Sequence, residues 1–203
     1  LPFRLIFPKN YDETKSYKLL TYLNYEYANG TDNLKNVQLG NEFLADAYAN
    51  GEYILLVPQC PEDTWTGLKI ENGNYSVNDT AESAVMRSVY GLIHDIALKY
   101  QTAGNYAVGV SAGGYAVADL CARHENLLTA AVILAGAGDP AATIGNTKVL
   151  IYHGEGDEKI AVSNAQALSS AWGAEYKELT RELHDCWKTA FAKEDILGWL
   201  NMK

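Results

Sequence analysis

Short hydrophobic stretches alternate along this chain with longer stretches of helical spacing, and this alternation restricts the fold more than any other feature of the sequence. The stretches with strand character are residues 3–7, 17–23, 53–57, 106–110, 130–134, 149–152 and 175–180. Those with helical spacing are residues 81–100, 114–123, 162–172 and 187–200. Continuously apolar strands that alternate with helices are typical of a mostly parallel β-sheet with helices on both faces. We therefore predict an α/β fold, in which the earliest strands are antiparallel because the connection between them is short.

The length and charge of the chain narrow the classes of function. A length of 203 residues fits one domain, and no internal repeat or linker interrupts it, so we predict a single domain over residues 1–203. No stretch is long and apolar enough to cross a membrane. The net charge is -9 and there is no basic stripe, which argues against a nucleic-acid partner.

The cysteines and the first residue bear on cofactors and location. Cys60, Cys121 and Cys186 allow at most one disulfide, and none belongs to a C-x-x-C pair, so we expect no zinc site. The chain starts at Leu1, so that either a leader has been removed or the chain is a trimmed domain. We expect a secreted protein, and a cytoplasmic location stays open as the alternative.

Residues 109–113, Gly-Val-Ser-Ala-Gly, match the pattern G-x-S-x-G between a predicted buried strand and a predicted helix. On such a sharp turn the serine adopts strained backbone angles, and only small residues fit where the strand and the helix approach. The turn presents the hydroxyl of Ser111 and directs the amide of Ala112 toward a developing oxyanion. We predict Ser111 as a nucleophile and Ala112 as an oxyanion donor; the alternative is a glycine-rich turn with an incidental serine.

A serine nucleophile needs a base and a third group that orients the base. With this kind of turn, the chain order is serine, acid, histidine. His184 follows the last predicted strand in a polar segment, which matches the base, although it could also be an exposed loop histidine. His94 lies within a predicted helix, and His124 ends one, where it suits the helix dipole. His153 ends a strand but precedes the acid candidates.

The acid candidate is Asp157, which follows the strand at 149–152 in a loop with two glycines. A carboxylate after a strand end lies where parallel sheets place their ligands. Glu155 and Glu158 are rivals in the same loop. Asp139 follows the preceding strand, and Asp185 is adjacent to the predicted base.

Several further sequence elements, combined with these, resemble a known family. They are residues 1–4 (LPFR), 30–33 (GTDN), 57–61 (VPQCP), Gly114-Tyr115 after the serine turn, His153-Gly154 with Asp157, and residues 184–187 (HDCW). Almost end to end, the chain resembles the small esterases of the α/β-hydrolase fold that are related to poly(3-hydroxybutyrate) depolymerases, feruloyl and acetylxylan esterases and predicted peptidases. The resemblance implies hydrolysis of carboxylic esters through an acyl-enzyme on Ser111, without a metal or organic cofactor. It also implies a small-molecule or polysaccharide-linked ester as substrate, including acetyl or feruloyl esters of plant polysaccharides.

One segment departs from this family. Its members usually carry His-Gly and small residues after the second main strand, where they help to form the oxyanion hole; here residues 24–30 are NYEYANG. We expect this segment to supply the second oxyanion donor, either a backbone amide of Tyr25 or Glu26 or a hydroxyl of Tyr25 or Tyr27. The alternatives are that the tyrosines only pack, and that the chain is a weak or inactive hydrolase-fold binding protein.

Aromatic side chains near the predicted catalytic residues are candidates for substrate contact. Trp65 follows the third strand, and Trp187 closely follows His184. Together with Tyr27, these tryptophans would suit an aryl or sugar-linked ester. Both tryptophans could equally belong to the core.

Overall fold

One sheet contains the seven strands of the described residues, 1–69 and 73–203 of a computed structural model. The strands are β1 (Phe3–Ile6), β2 (Lys18–Leu23), β3 (Tyr53–Pro58), β4 (Asn105–Val110), β5 (Ala130–Leu134), β6 (Lys148–Gly154) and β7 (Glu175–Leu179). Their spatial order is β1-β3-β2-β4-β5-β6-β7; β1 is antiparallel to β3, and all other neighbours are parallel. The predicted mostly parallel sheet is confirmed.

The first five helices lie in connections between strands, and the last two follow the final strand. They are α1 (Lys35–Gln38), α2 (Asn41–Asn50), α3 (Ala84–Tyr100), α4 (Ala112–Arg123), α5 (Val162–Trp172), α6 (Trp187–Lys193) and α7 (Ile196–Asn201), with a short 3-10 helix at Glu26–Ala28. Helix α3 begins three residues later than predicted because Ser83 caps it, and the Ser83 Oγ accepts the amide of Met86 at 3.0 Å. The apolar spacing of the sequence does not predict α1 and α2.

The prediction of one final helix over residues 187–200 is wrong, because the chain breaks between α6 and α7. Glu194 has extended backbone angles (φ -108°, ψ 139°). Asp195 then accepts the amide of Gly198 at 2.8 Å and caps α7. An aspartate side chain offers the backbone a local alternative to a continued helix, and apolar periodicity alone does not detect this break.

The expectation of antiparallel early strands holds for β1 and is wrong for β2. Strand β3 lies between them, so β1 pairs with β3, while β2 runs parallel to β3 and β4. The short connection from β1 to β2 therefore does not form a hairpin. Leu19, Leu20 and Leu23 of β2 are fully buried, as expected of a strand inside a parallel sheet that is covered on both faces.

Alternate side chains of the central strands enter two hydrophobic cores, one on each face of the sheet. On one face, Ala131 and Ile133 of β5 belong to the cluster that includes residues of α3, α4 and α5. On the other face, Val132 and Leu134 belong to the cluster that includes residues of α2, α6 and α7. The predicted placement of helices on both faces is confirmed.

Helix α4 lies in direct backbone contact with the carboxyl end of β2. A Cβ on Gly113 would lie 1.9 Å from the carbonyl oxygen of Leu23, and a Cβ on Gly109 would lie 2.1 Å from the carbonyl oxygen of Gly113. Atoms cannot approach so closely, so only glycine fits at either position. This contact places the first turn of α4 beside the segment that follows β2.

Replacement of Gly113 by alanine should lower the free energy of unfolding by about 1–3 kcal/mol or more, because the new Cβ overpacks this contact. Gly91, inside α3, is the matched control: a Cβ there meets nothing within 4 Å. Alanine at that helical position should raise the free energy of unfolding by about 0.5–1 kcal/mol. Urea unfolding measures both changes, and equal stabilities for the two variants would contradict the close contact.

Candidate active site

Ser111 occupies the turn between β4 and α4. Its backbone angles are φ 53° and ψ -116°, a combination that L-residues rarely adopt and that costs about 1–3 kcal/mol. Ser111 is 2% exposed and lies at the wall of a cavity of about 430 Å³. The amide of Ala112 is the first of the helix, and such amides have no partner within the helix itself. The Ser111 side chain and the first amide of α4 are therefore adjacent in the chain at this turn.

His184 lies in the loop that follows β7, and its imidazole bridges two side chains. Its Nε2 is 2.8 Å from the Oγ of Ser111, and its Nδ1 is 2.8 Å from the Oδ2 of Asp157. Because an ionised carboxylate only accepts hydrogen bonds, Nδ1 carries the proton. The lone pair on Nε2 is then available to the serine hydroxyl, which is the arrangement that activates a serine for attack.

The carboxylate of Asp157 accepts hydrogen bonds at both oxygens. The amides of Lys159 and Ile160 donate to Oδ1, each at 2.9 Å. At Oδ2, the second contact besides His184 is the Nε2 of His153, at 3.1 Å. Burial opposes the charge, but the hydrogen bonds from the two histidines and from the Ile160 amide outweigh it and hold the pKa of Asp157 below its usual range. The group is therefore ionised at neutral pH.

The loop that carries His184 is attached to the loop that carries Asp157. The carbonyl oxygen of Leu183 lies so close to Gly154 that a Cβ there would be 2.2 Å away. The amide of Gly156 donates to the carbonyl of Glu182 at 2.9 Å. These backbone contacts fix the spacing between the acid and the imidazole.

The four rival carboxylates of the sequence analysis have other partners or positions. Asp139 is buried and accepts two backbone amides, each at 2.8 Å, away from the imidazole. Glu155 accepts a backbone amide of the histidine loop at 3.0 Å. Asp185 pairs with Lys188, and Glu158 is an exposed residue of the cavity wall. Among the carboxylates of the described residues, only Asp157 forms a hydrogen bond with the imidazole of His184.

The other histidines lie in three different environments. His94 is exposed on α3 beside its neighbour in sequence. His124 is the C-cap of α4; its ring stacks on Tyr90 at 4.0 Å between centroids, and its Nε2 lies 2.8 Å from a carboxylate oxygen of Glu82. His153 is fully buried against Asp157.

Aromatic side chains form one wall of the cavity. Trp187 meets His184 edge to face at 5.5 Å and packs against Tyr25 at 5.3 Å between ring centroids. Tyr27, which is 69% exposed, lines the mouth. Trp187 and Tyr27 thus lie where the sequence predicts substrate contact.

The prediction that Trp65 contacts the substrate is wrong, because its side chain belongs to the hydrophobic core. It is 1% exposed and packs in the cluster that includes α3 and α4. Its Nε1 donates to the carbonyl oxygen of Asn24 at 2.9 Å. Trp65 therefore holds the segment after β2 through a hydrogen bond from the core, and it does not line the cavity.

The segment after β2 is a fixed turn despite its bulky side chains. The amide of Ala28 donates to the carbonyl of Tyr25 at 3.0 Å, which closes the 3-10 helix. The side chain of Asn24 is buried and donates to the carbonyl of Asn36. Tyr25, Glu26 and Tyr27, the predicted sources of the second oxyanion donor, line the same cavity as Ser111.

Some residues of the site are not singled out by the sequence patterns. Lys159, Leu183 and Lys188 also line the cavity, and Lys159 Nζ is 3.8 Å from Glu26 Oε1. The contact of His153 with the acid is a further omission. Its sequence signals are the spacing of four residues from Asp157 and the place of His153-Gly154 among the elements that carry the family resemblance.

The described residues contain no group of three or more His, Cys, Asp or Glu side chains placed to hold a metal ion. None of their helices has both the length and the apolar character of a membrane span. Cys60, Cys121 and Cys186 are buried free thiols.

The comparisons with known proteins concern the fold. No family model matches the chain, and no curated protein sequence matches it. Among solved structures, a thermostable esterase is similar with a TM-score of 0.85 and 22% identity over 98% of this chain. The chain spans 58% of the length of that protein. An acetyl xylan esterase from Aspergillus awamori is similar with a TM-score of 0.66 and 12% identity, covering 94% of this chain and 93% of the other.

A thermophilic esterase from Thermogutta terrifontis, Est2 with bound propionate, has a TM-score of 0.65 and 12% identity, covering 96% of this chain and 87% of the other. Identities this low establish the fold alone. The described chain has the α/β-hydrolase fold, in which a serine after one strand, an acid after a later strand and a histidine after the last strand meet at one edge of the sheet.

Protonation of Asp157 should destabilise the protein in acid. Because the pKa of the folded carboxyl lies below an unfolded value of about 3.9, the folded state binds fewer protons, and stability decreases as the pH falls from about 5 through the folded pKa. Asp157→Asn should be less stable than wild type at neutral pH, and the difference should narrow in acid. Urea unfolding at several pH values measures this. Glu158→Gln, at the exposed neighbour, is the control and should keep the wild-type pH dependence of stability. If Asp157→Asn lowered the free energy of unfolding by the same amount at every pH, the lowered pKa of Asp157 would be contradicted.

Proposed function

We propose that this chain is a serine carboxylesterase that hydrolyses carboxylic esters through an acyl-enzyme on Ser111. The observation that carries the proposal is the continuous line of contacts from Asp157 through His184 to Ser111, each 2.8 Å long, at the wall of an open cavity. The esterases among the similar structures support the same class of reaction.

In the proposed reaction, the Oγ of Ser111 attacks the ester carbonyl carbon while Nε2 of His184 accepts the hydroxyl proton. The resulting imidazolium is stabilised by the carboxylate of Asp157. The tetrahedral intermediate then collapses, and the alcohol leaves with the proton from Nε2. Water then attacks the acyl carbon while the same nitrogen accepts its proton; the second tetrahedral intermediate collapses, the acid is released, and Nε2 returns the proton to the Oγ of Ser111. No step needs a metal or an organic cofactor.

Two donors are proposed for the oxyanion. The amide of Ala112 is one, since it opens α4 next to the nucleophile. The other is a backbone amide at Tyr25 or Glu26, because hydrogen bonds and the 3-10 helix hold this backbone rigid beside Ser111. A donor that is already fixed costs no reorganisation during the reaction.

The proposed substrates are acetyl or feruloyl esters, including those of plant polysaccharides. A cavity of about 430 Å³ with Trp187, Tyr25 and Tyr27 in its walls suits a small acyl or aryl group. One similar structure is an acetyl xylan esterase, and another holds propionate. A polysaccharide-linked substrate would place the enzyme outside the cell, which agrees with the expected secretion.

The alternative of an inactive binding protein is not favoured. It depends on the altered segment after β2, but Tyr25 and Glu26 of that segment still line the cavity beside Ser111. The two 2.8 Å contacts that join Asp157, His184 and Ser111 have an explanation in catalysis and none in binding alone.

Ser111→Ala should lower turnover of p-nitrophenyl acetate by about a thousandfold or more, because no acyl-enzyme can form. The measurement is release of p-nitrophenol in the steady state and in the first turnover, where wild type should show a burst. Ser88→Ala, at an exposed serine of α3, is the control and should match wild type. Near-normal turnover of Ser111→Ala would refute the nucleophile, and a wild type without ester hydrolysis would favour the binding protein.

Tyr25→Phe and Tyr27→Phe separate a backbone oxyanion donor from a phenol. Each change removes the hydroxyl and keeps the ring and the backbone, so kcat should stay within about threefold of wild type if an amide donates. A drop of about a hundredfold in kcat for one variant would match the loss of one donor and assign that role to its hydroxyl. Steady-state kinetics with p-nitrophenyl acetate decides between these results.

A further inference from the structure

His153 is a buried polar side chain that the proposed mechanism does not use. It lies near the end of β6, on the same face of the sheet as Ile151, and it is fully buried. Burial of an imidazole is unfavourable unless its polar atoms have partners. The partners of His153 therefore indicate why this position holds a histidine.

The contacts of His153 define which of its ring nitrogens donates a hydrogen bond. Its Nε2 is 2.9 Å from the carbonyl oxygen of Ile160 and 3.1 Å from the Oδ2 of Asp157. Both neighbours are acceptors, so Nε2 carries a hydrogen. Its Nδ1 is buried and has no hydrogen-bond partner among the described residues. A hydrogen on Nδ1 would be a buried, unpaired donor, so Nε2 is the nitrogen from which the ring donates.

The hydrogen bond from His153 reaches the oxygen that serves the proposed base. Oδ2 of Asp157 accepts from His184 and also lies 3.1 Å from Nε2 of His153, whose single hydrogen it shares with the nearer carbonyl oxygen of Ile160, whereas Oδ1 accepts from two backbone amides. With donors on both oxygens, the carboxylate cannot rotate without breaking a hydrogen bond. If His153 were absent, Oδ2 would be held by the His184 imidazole alone, which is the group that the carboxylate has to orient.

We propose that His153 is a positioning residue: by donating to Oδ2 of Asp157 from the buried side, it keeps this oxygen in place to accept from Nδ1 of His184. The role rests on the proposed function of the site. His153 contacts no substrate, and it transfers no proton in the reaction. It keeps the acid both ionised and in one orientation, so that the imidazole stays in the tautomer that can deprotonate Ser111.

Three variants test this role. His153→Leu removes the donor and fills the space, and His153→Gln places an amide N–H near the position of Nε2. Ile151→Val, which shortens a buried neighbour on the same strand and face, is the control for general loss of packing. Urea unfolding establishes that each variant is folded.

With p-nitrophenyl acetate, His153→Leu should lower kcat by about ten- to a hundredfold, the range expected for loss of a hydrogen bond to a charged group. KM should stay within about threefold, because His153 does not touch the substrate. His153→Gln should recover most of kcat, and Ile151→Val should keep it. Wild-type kcat in His153→Leu, or an equal loss in all three variants, would overturn the proposal.

A second measurement does not depend on catalysis. The carboxyl ¹³C resonance of Asp157, assigned by its absence in Asp157→Asn, reports the titration of this group by NMR. In His153→Leu its midpoint should move up by about one pH unit, because one hydrogen bond to the charged form is lost. An unchanged midpoint would overturn the proposal. If the midpoint moved in His153→Leu as expected but wild type hydrolysed no ester, the proposed function would be wrong and the hydrogen bond from His153 to Asp157 would still be supported.

Discussion

The backbone contact between α4 and the end of β2 is the constraint on which the rest of the site depends. Gly113 approaches the carbonyl of Leu23 so closely that no side chain fits between them. The contact places the first turn of α4, which follows the strained turn at Ser111, beside the segment after β2. Ser111 and residues of that segment line the same cavity.

A second constraint is the attachment of the two loops that end β6 and β7. The carbonyls of Glu182 and Leu183 lie against Gly154 and Gly156, so the chain before His184 follows the surface of the acid loop. The distance from imidazole to carboxylate is thus set by backbone geometry as well as by the side-chain hydrogen bond. In the proposed reaction, such backbone support would keep Asp157 and His184 within the narrow limits that proton transfer requires.

The segment after β2 shows how a bulky sequence can replace a glycine-rich one. Tyr25 packs against Trp187 at the surface, and Trp65 holds the carbonyl of Asn24 from the core. The 3-10 helix at Glu26–Ala28 then fixes the amides without left-handed backbone angles at its first residues. Rigidity here comes from side-chain hydrogen bonds and ring contacts, whereas a glycine-rich loop relies on unusual backbone angles.

By itself, the sequence determined the elements that depend on local pattern: the continuously apolar strands, the long amphipathic α3, and the serine turn at 109–113, whose small residues have a steric cause. Chain order favoured His184 over His153 as the base, and the loop with two glycines after a strand favoured Asp157 as the acid, with four rival carboxylates left open. Only the tertiary structure decided the features that depend on distant partners. These are the place of β3 between β1 and β2, the burial of Trp65, and the meeting of His153 with Asp157. The physical reason is that strand pairing, burial and side-chain hydrogen bonds join residues far apart in the chain, and periodicity registers only near neighbours.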